Sequence, residues 1–530
     1  MKVGYRLAGV MAVAACLALA GRAAAQVSAD ALLDKLVAKG ILRQDEAEQL
    51  KNESLTNNAA GASNGRGMKF KIGKVIKDME LYGDVRMRYE YRAAQLAHEA
   101  GAYAGAFDTA DRWRFSVRLG VRGDLVNDDF YYGLRLETAQ NERSPWVTFG
   151  SGGSSPYNGP FSKSGDVIYL GQAYLGWRPA SWLDVSVGKV PQPLYTTSMV
   201  WDSDITPEGL VEKLSFRSGP ADIFATLGQF IYQDVTPTSA AAIEGGNGNS
   251  SSYWLGNYSD QNAYLLAWQL GLTYHMDTNV SFKVAPVFYQ YVGHGNASAG
   301  FYGPFVGQGI NGFTFNPIGQ PESGTTTPIT ATSSSLPGAY VSGIPGFTSL
   351  SYNQTGINNL AIVEIPMEVN FKLWSLDAKA FGDFSINLEG DDRSRAAYTA
   401  YPSAFPHGLI LNQDQAMQFG LAVGNNLGLV YGTTSKRGTW EARAYWQHVE
   451  QYALDPNLLD SDFFEGRGNL QGLYTAFAYS FTDATIGSLR YGVAERINSQ
   501  LGTGGYNADL PLPNPINRFQ VMQADLTLRF

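Results

Sequence analysis

Cysteine is almost missing from this chain. Cys16 is the only one in 530 residues, and it lies in a leader-like segment, so a chain cleaved after Ala25 has no disulfide and no thiolate metal site. Charge is sparse too. Charged residues make up 16% of the sequence and the formal net charge is −9. It becomes more negative once Lys2, Arg6 and Arg22 leave with the leader, whereas a general nucleic-acid binder needs an excess of Lys and Arg. Histidine is scarce as well: His98, His275, His294, His407 and His448 are the five. None comes with a G-x-S-x-G, H-E-x-x-H or Walker pattern, so no catalytic residue, metal ligand or cofactor is assigned. Past the leader, no run reaches the roughly 18 uninterrupted apolar residues of a membrane helix. If the chain spans a membrane, strands must do it.

Glycine and aromatics are what the chain has in quantity, with 59 Gly, 30 Tyr, 27 Phe and 10 Trp. That composition suits many strands, many turns and interfacial aromatic belts. Residues 1–25 read as a cleaved signal peptide, with Lys2 and Arg6 ahead of an apolar stretch from Leu7 to Ala20 and Ala23, Ala24 and Ala25 before the cut. The alternative is a lipoprotein box at Val13-Ala14-Ala15-Cys16. Within residues 26–53, Leu32, Leu33, Leu36 and Val37 fall at helical spacing, Gly40 stops the helix, and Ala47 and Leu50 belong to a second one. We expect a short periplasmic helical hairpin there, serving as a spacer or a contact element. A linker over 54–78 follows, rich in Asn, Ala, Gly and Ser as far as Gly67.

From Met79 the period changes to two. Arg112, Arg114, Ser116, Arg118, Gly120 and Arg122 alternate with Trp113, Phe115, Val117, Leu119 and Val121, which gives a strand one polar and one apolar face. Sixteen such runs are expected, near 80–92, 111–124, 130–140, 167–178, 182–190, 209–218, 221–232, 261–276, 278–292, 357–373, 375–389, 414–431, 438–451, 470–481, 485–496 and 517–530. Short turns such as Asn127-Asp128-Asp129 and Thr482-Asp483-Ala484 alternate with long loop segments, including 191–208, 293–356, 390–413 and 452–469. Short turns at one end and long loops at the other are the asymmetry of an outer-membrane barrel. The fold class expected is therefore all-β, a transmembrane antiparallel β-barrel of about 16 strands (14–18) over 79–530, wide enough for an aqueous channel. Pro286 and Pro366 weaken the count, because a closed barrel has no free edge for them.

With the polar parity facing the lumen, Arg86, Arg88, Arg112, Arg114, Arg118, Arg122 and Arg135 form a pore-lining stripe over three consecutive strands. Such a stripe would attract anions, unless the interleaved Asp84, Glu90 and Glu137 neutralise it as ordinary ion pairs. The 191–208 connection carries Tyr195, Trp201, Asp202, Asp204 and Glu208; folded inward, it would be a constriction loop facing the arginines. The 293–356 segment is either a lid or a plain surface loop.

Three stretches resemble a known family: RLGVRGDLVNDDFYYGLRLETAQNERSP (Arg118 to Pro145), QAYLGWRPASWLDVSVGKVPQPLYTTSMVWDSDITPEGLVEKLSF (Gln172 to Phe216) and the terminal QADLTLRF. They are similar to the "putative porin" family of Gram-negative outer-membrane barrels, which also often carries an N-terminal helical hairpin. A weaker resemblance is to phosphate-selective porins. The likeness implies a passive pore in the cell outer membrane, surrounded by its lipids, passing small hydrophilic solutes or anions. By analogy it also implies a homo-trimer, and it supplies no substrate-binding residues. Leu526, Leu528 and Phe530 resemble the assembly signal read by the barrel-insertion machinery. The rival reading is an outer-membrane anchored adhesin or binding protein with a closed barrel.

Overall fold

The computed structural model describes residues 68–70, 75–97, 105–125, 129–139, 144–150, 167–233, 263–293, 360–400, 408–503 and 516–530. The leader, the expected helical hairpin, most of the linker and nearly all of the 293–356 connection lie outside the described residues. Residues Met1–Asn64 and Gly65–Phe530 are separate units, and the second is a β-barrel.

Nineteen strand segments form one sheet. Two of them, Met68–Phe70 and Val147–Thr148, are short additions beside Met79–Leu81 and beside Arg114 and Phe115. Two more make one interrupted strand, which leaves sixteen wall strands among the described residues. In chain order these are β1 (Met79–Leu96), β2 (Phe107–Asp124), β3 (Phe130–Ala139), β4 (Val167–Ala180), β5 (Leu183–Lys189), β6 (Glu208–Ser218), β7 (Ala221–Gln233) and β8 (Ala263–His275). Then come β9 (Ser281–Val284 with Val287–Gly293), β10 (Ala361–Leu373), β11 (Leu376–Asn387), β12 (Gln415–Gly424), β13 (Trp440–Val449), β14 (Leu470–Ser480), β15 (Thr485–Arg496) and β16 (Ile516–Arg529). Each pairs antiparallel with the next, and β16 returns to β1 with Asp525 opposite Arg88 and Leu526 opposite Met87. The ring is closed. Closure pairs the ladder all the way round, the condition for strands to cross hydrocarbon.

Alternation sets the two faces. Ile168 and Leu270 are 69% and 61% exposed on the outside, while Arg88, Glu90 and Arg114 on the other parity are buried within. Aromatic rings stack across neighbouring strands on the outer face, Phe130 on Trp177, Trp182 on Phe216 and Trp440 on Phe477, all near the turn end. This is the girdle a lipid interface selects.

The two prolines leave the strand count intact. Ala285 N donates to Pro366 O at 3.1 Å, and Leu270 N donates to Pro286 O at 3.1 Å. In an antiparallel pair Pro366 would donate back to Ala285, but it has no N–H. The Ala285 carbonyl instead accepts from the Gln269 side chain, Nε2 to O, at 3.1 Å. The ladder breaks locally at Ala285-Pro286 and a side chain mends it.

Two expectations are corrected. The strand expected to run to residue 431 ends at Gly424, because Asn425 caps the ladder: its N–H donates to Trp440 O at 3.2 Å and its Oδ1 accepts from Trp440 N at 2.7 Å. The chain then turns inward, burying Leu429 and Val430. The 390–413 connection is not all loop, since Gly390–Ala400 is an α-helix, α1, with Asp391 and Asp392 in its first turn.

Candidate functional site

All seven arginines of the expected stripe stand on the inner parity, and each meets a carboxylate. Arg86 Nε lies 2.8 Å from Asp84, and Arg118 Nη2 lies 2.9 Å from the same residue. Arg122 pairs with Glu80 at 2.9 Å and Arg135 with Glu137 at 3.0 Å. Glu90, fully buried, takes Arg112 at 2.5 Å and Arg92 at 3.0 Å, with Arg114 at 3.9 Å. Arg88 spans Asp525 and Asp462, each at 2.8 Å. The stripe is a lattice of compensated pairs rather than a row of free cations. Arg88 and Arg114 are 2% and 1% exposed and lie against the Trp146 ring, so these two face protein rather than water.

The 191–208 connection packs across the inner wall. Gln269 holds the Tyr195 backbone on both sides, accepting from its N–H at 2.9 Å and donating to its carbonyl at 2.8 Å. The Tyr195 hydroxyl donates to Glu368 at 2.7 Å, Thr196 donates to Glu364 at 2.6 Å, and Thr197 donates to Asp383. Trp201 is buried, its indole N–H donating to Ile205 O at 2.9 Å and its ring against Phe230 and Tyr289. Asp204 approaches Arg118 at 3.8 Å, which makes it the loop acid that meets the stripe directly. Glu208 pairs with Lys189 at 2.7 Å and stays 60% exposed.

A second inward segment escaped the sequence reading. Residues 452–469 are buried almost throughout, with Leu454, Leu458, Leu459, Phe463 and Phe464 joining Trp201, Tyr289 and Tyr445 in one apolar cluster inside the ring. Asp202 ties the two loops together: its N–H donates to Leu458 O at 2.6 Å and its Oδ2 accepts from Ser461 N at 3.1 Å. Glu465 pairs with Arg92 at 2.8 Å, both side chains fully buried. The available signal was five large apolar residues in a segment expected to face water. From the turn end, the 425–439 segment adds Val430, whose carbonyl accepts from Arg490 at 2.7 Å.

Burial holds the Asp202 and Asp204 carboxyls above their ordinary range, Asp204 in spite of Arg118. Asp460 is pushed up to about 7 by burial and by the charge of Asp462. Asp462 itself, against its own burial, is drawn down to about 2 by Arg88, Arg490 and Arg92. The cluster therefore mixes protonated and ionised acids around neutral pH.

Leu528 and Phe530 are exposed on the outer face, and Leu526 shares their parity. Phe530 exchanges two backbone hydrogen bonds with Gly83, at 3.0 and 3.1 Å. Among the described residues no group of acids, histidines or cysteines has the arrangement of a metal site.

A closed sixteen-stranded ring with a polar inner face and loops folded into it is the architecture of a pore-type outer-membrane barrel. Residues 71–299 and 365–530 match the family model described as "Putative porin", and the chain belongs to that family. Similar solved structures include OmpT of Vibrio cholerae, 8% identical over 87% of this chain and 99% of that one, with TM-score 0.38. An anion-selective porin from Comamonas acidovorans is 8% identical over 85% and 99%, with TM-score 0.38. Salmonella typhi OmpF in complex with daunomycin is 8% identical over 87% and 100%, with TM-score 0.39. No curated protein matches the chain.

Proposed function

We propose that the chain works as an outer-membrane porin, through which small hydrophilic solutes diffuse passively down a lumen narrowed by the 191–208 and 452–469 loops. In this reading it has no catalytic step and no cofactor. The observation that carries it is the loop 191–208 bound across the inner wall to Gln269, Glu364, Glu368 and Asp383. A fixed inward loop sets a size limit, which a barrel serving only as an anchor does not need. Anion preference does not follow from the arginine stripe, because its carboxylates offset the charge. The test is single-channel conductance of purified protein in planar bilayers: stepwise ohmic currents support the pore.

The second reading, an anchored binding protein with a closed barrel, draws support from the apolar cluster inside the ring. Absence of current from a folded, heat-modifiable barrel would decide for it. A homo-trimer is also proposed. Glu212 shares the outward parity of Leu210 and Phe216 and bonds Gln229 at 3.0 Å; a neighbouring copy would keep this pair from lipid, where a carboxylate is costly. Native mass spectrometry in detergent reads the subunit number.

A further inference from the structure

We infer that a pair of lysines beside the inward loop, Lys213 and Lys283, forms a subsite for small organic carboxylates with an apolar or aromatic body. The inference rests on the pore reading for its role in transport, but the site itself stands on its own geometry. Both lysines lie on the inner parity, Lys213 opposite Thr226 on β7 and Lys283 opposite Thr273 on β8. They line one cavity of about 530 Å³ together with Pro193, Tyr195 and Phe224, a size that suits a small ligand.

Each lysine stands across the ladder from an acid, Lys213 from Asp184 and Lys283 from Glu368. Neither acid is available. Asp184 accepts from the Tyr131 hydroxyl at 2.5 Å and faces Arg178 at 3.5 Å. Glu368 is held by Lys379 at 2.8 Å, Tyr195 at 2.7 Å and Asn370 at 3.1 Å. Among the described residues neither lysine makes an ion pair or hydrogen bond. The Lys283 ammonium instead sits 3.5 Å from the Tyr195 ring centroid and 5.4 Å from that of Phe224.

The contrast with the arginine stripe gives the site its meaning. On the β1–β3 side each of the seven arginines lies within 4 Å of a carboxylate, whereas Lys213 and Lys283 on the β6–β9 side make no such close pair, the acids opposite them being engaged by other groups. An ammonium without a close carboxylate in a low-dielectric channel can take an anion. A lysine engages a carboxylate as a mobile point charge, while the flanking rings offer faces for an apolar or aromatic body. A solute carrying only an anionic charge would use half of the site; an aromatic carboxylate would use both halves.

Benzoate is the probe, with benzylamine as its cationic counterpart. Saturation-transfer NMR on the detergent-solubilised barrel reads contact whether or not the barrel conducts. A benzoate signal should appear in wild type, disappear in Lys213→Gln/Lys283→Gln, and return in Lys213→Arg/Lys283→Arg, with no benzylamine signal in any of them. On wild type alone, molar chloride should suppress the benzoate signal, since screening weakens a charge-driven contact. In bilayers the anion-to-cation permeability ratio should fall roughly threefold in the Gln pair and be kept in the Arg pair. An equal benzoate signal in wild type and the Gln pair, or one insensitive to chloride, overturns the subsite. A silent wild-type channel that still binds benzoate overturns the pore reading and leaves the subsite standing.

Discussion

Gln269 on β8 grips Tyr195 by its backbone, with Oε1 accepting from the Tyr195 N–H at 2.9 Å and Nε2 donating to the Tyr195 carbonyl at 2.8 Å. The same Nε2 serves the Ala285 carbonyl that Pro366 cannot reach. One buried amide therefore joins the proline defect of the wall to the loop that crosses the lumen. Gln269→Ala removes all three bonds and strands buried backbone groups, each costing about 1–3 kcal/mol. We expect a lower urea midpoint in detergent and noisier single-channel currents. An unchanged midpoint together with quiet channels would mean that the loop is held mainly by Thr196, Thr197 and Trp201.

Acid should tighten the contact between the two inward loops. The Asp460 carboxyl is raised to about 7, first by burial and then by Asp462 and Asp204, so its folded value lies above its unfolded one. The folded state holds the extra proton between the two values, and stability falls as pH rises through about 7. We expect loop gating to increase between about pH 6 and pH 8, as Asp460 ionises beside the already ionised Asp462. Asp460→Asn should flatten that dependence. A wild-type profile that is flat over the range would show that Asp460 does not titrate there.

The wall was readable in the sequence because a closed barrel imposes period two on every strand, and Arg112 to Arg122 states it plainly. Inward segments carry no such period. The apolar parity of Phe419, Leu421 and Val423 is broken at Asn425 and resumes at Leu427, Leu429 and Tyr431, so Gly424-Asn425-Asn426 is the one mark in the pattern of the end of β12. The side chain of Asn425, bonded to the next strand, ends it. Leu458 and Phe463 likewise look like loop residues until Trp201 and Tyr445 are placed beside them, and that placement depends on strands far apart in sequence. The charge lattice was half legible: Asp84, Glu90 and Glu137 announced pairing within the wall, whereas Asp462 and Glu465 arrive from the inserted loop.

Arg92 and Glu465, 2.8 Å apart and both fully buried, fix the 452–469 loop to β1. Breaking one partner of such a pair leaves a buried charge and costs about 3–5 kcal/mol. Glu465→Gln should therefore lower the unfolding midpoint clearly. Arg92→Met/Glu465→Met should recover part of the loss, although Glu90 then loses one of its arginines. If the double variant is no better than the single one, the loss comes from packing rather than from the uncompensated charge.

Gly83 lies where the barrel closes. Its N–H donates to the Phe530 carbonyl at 3.0 Å and its carbonyl accepts from the Phe530 N–H at 3.1 Å, so the last residue is tied to the first strand. A Cβ at this position would overlap the Arg118 carbonyl and stand 2.8 Å from Phe530 Cζ; the ring could turn away, but the backbone oxygen could not. Gly83→Val should thus reduce the heat-modifiable, folded fraction recovered from membranes, and Phe530→Ala should not rescue it, since the backbone clash persists. Rescue would place the obstruction at the ring. Phe530→Ala alone keeps both backbone bonds and removes only the exposed aromatic end, so a slower appearance of folded barrel in that variant would trace to recognition of the terminus rather than to closure of the ring.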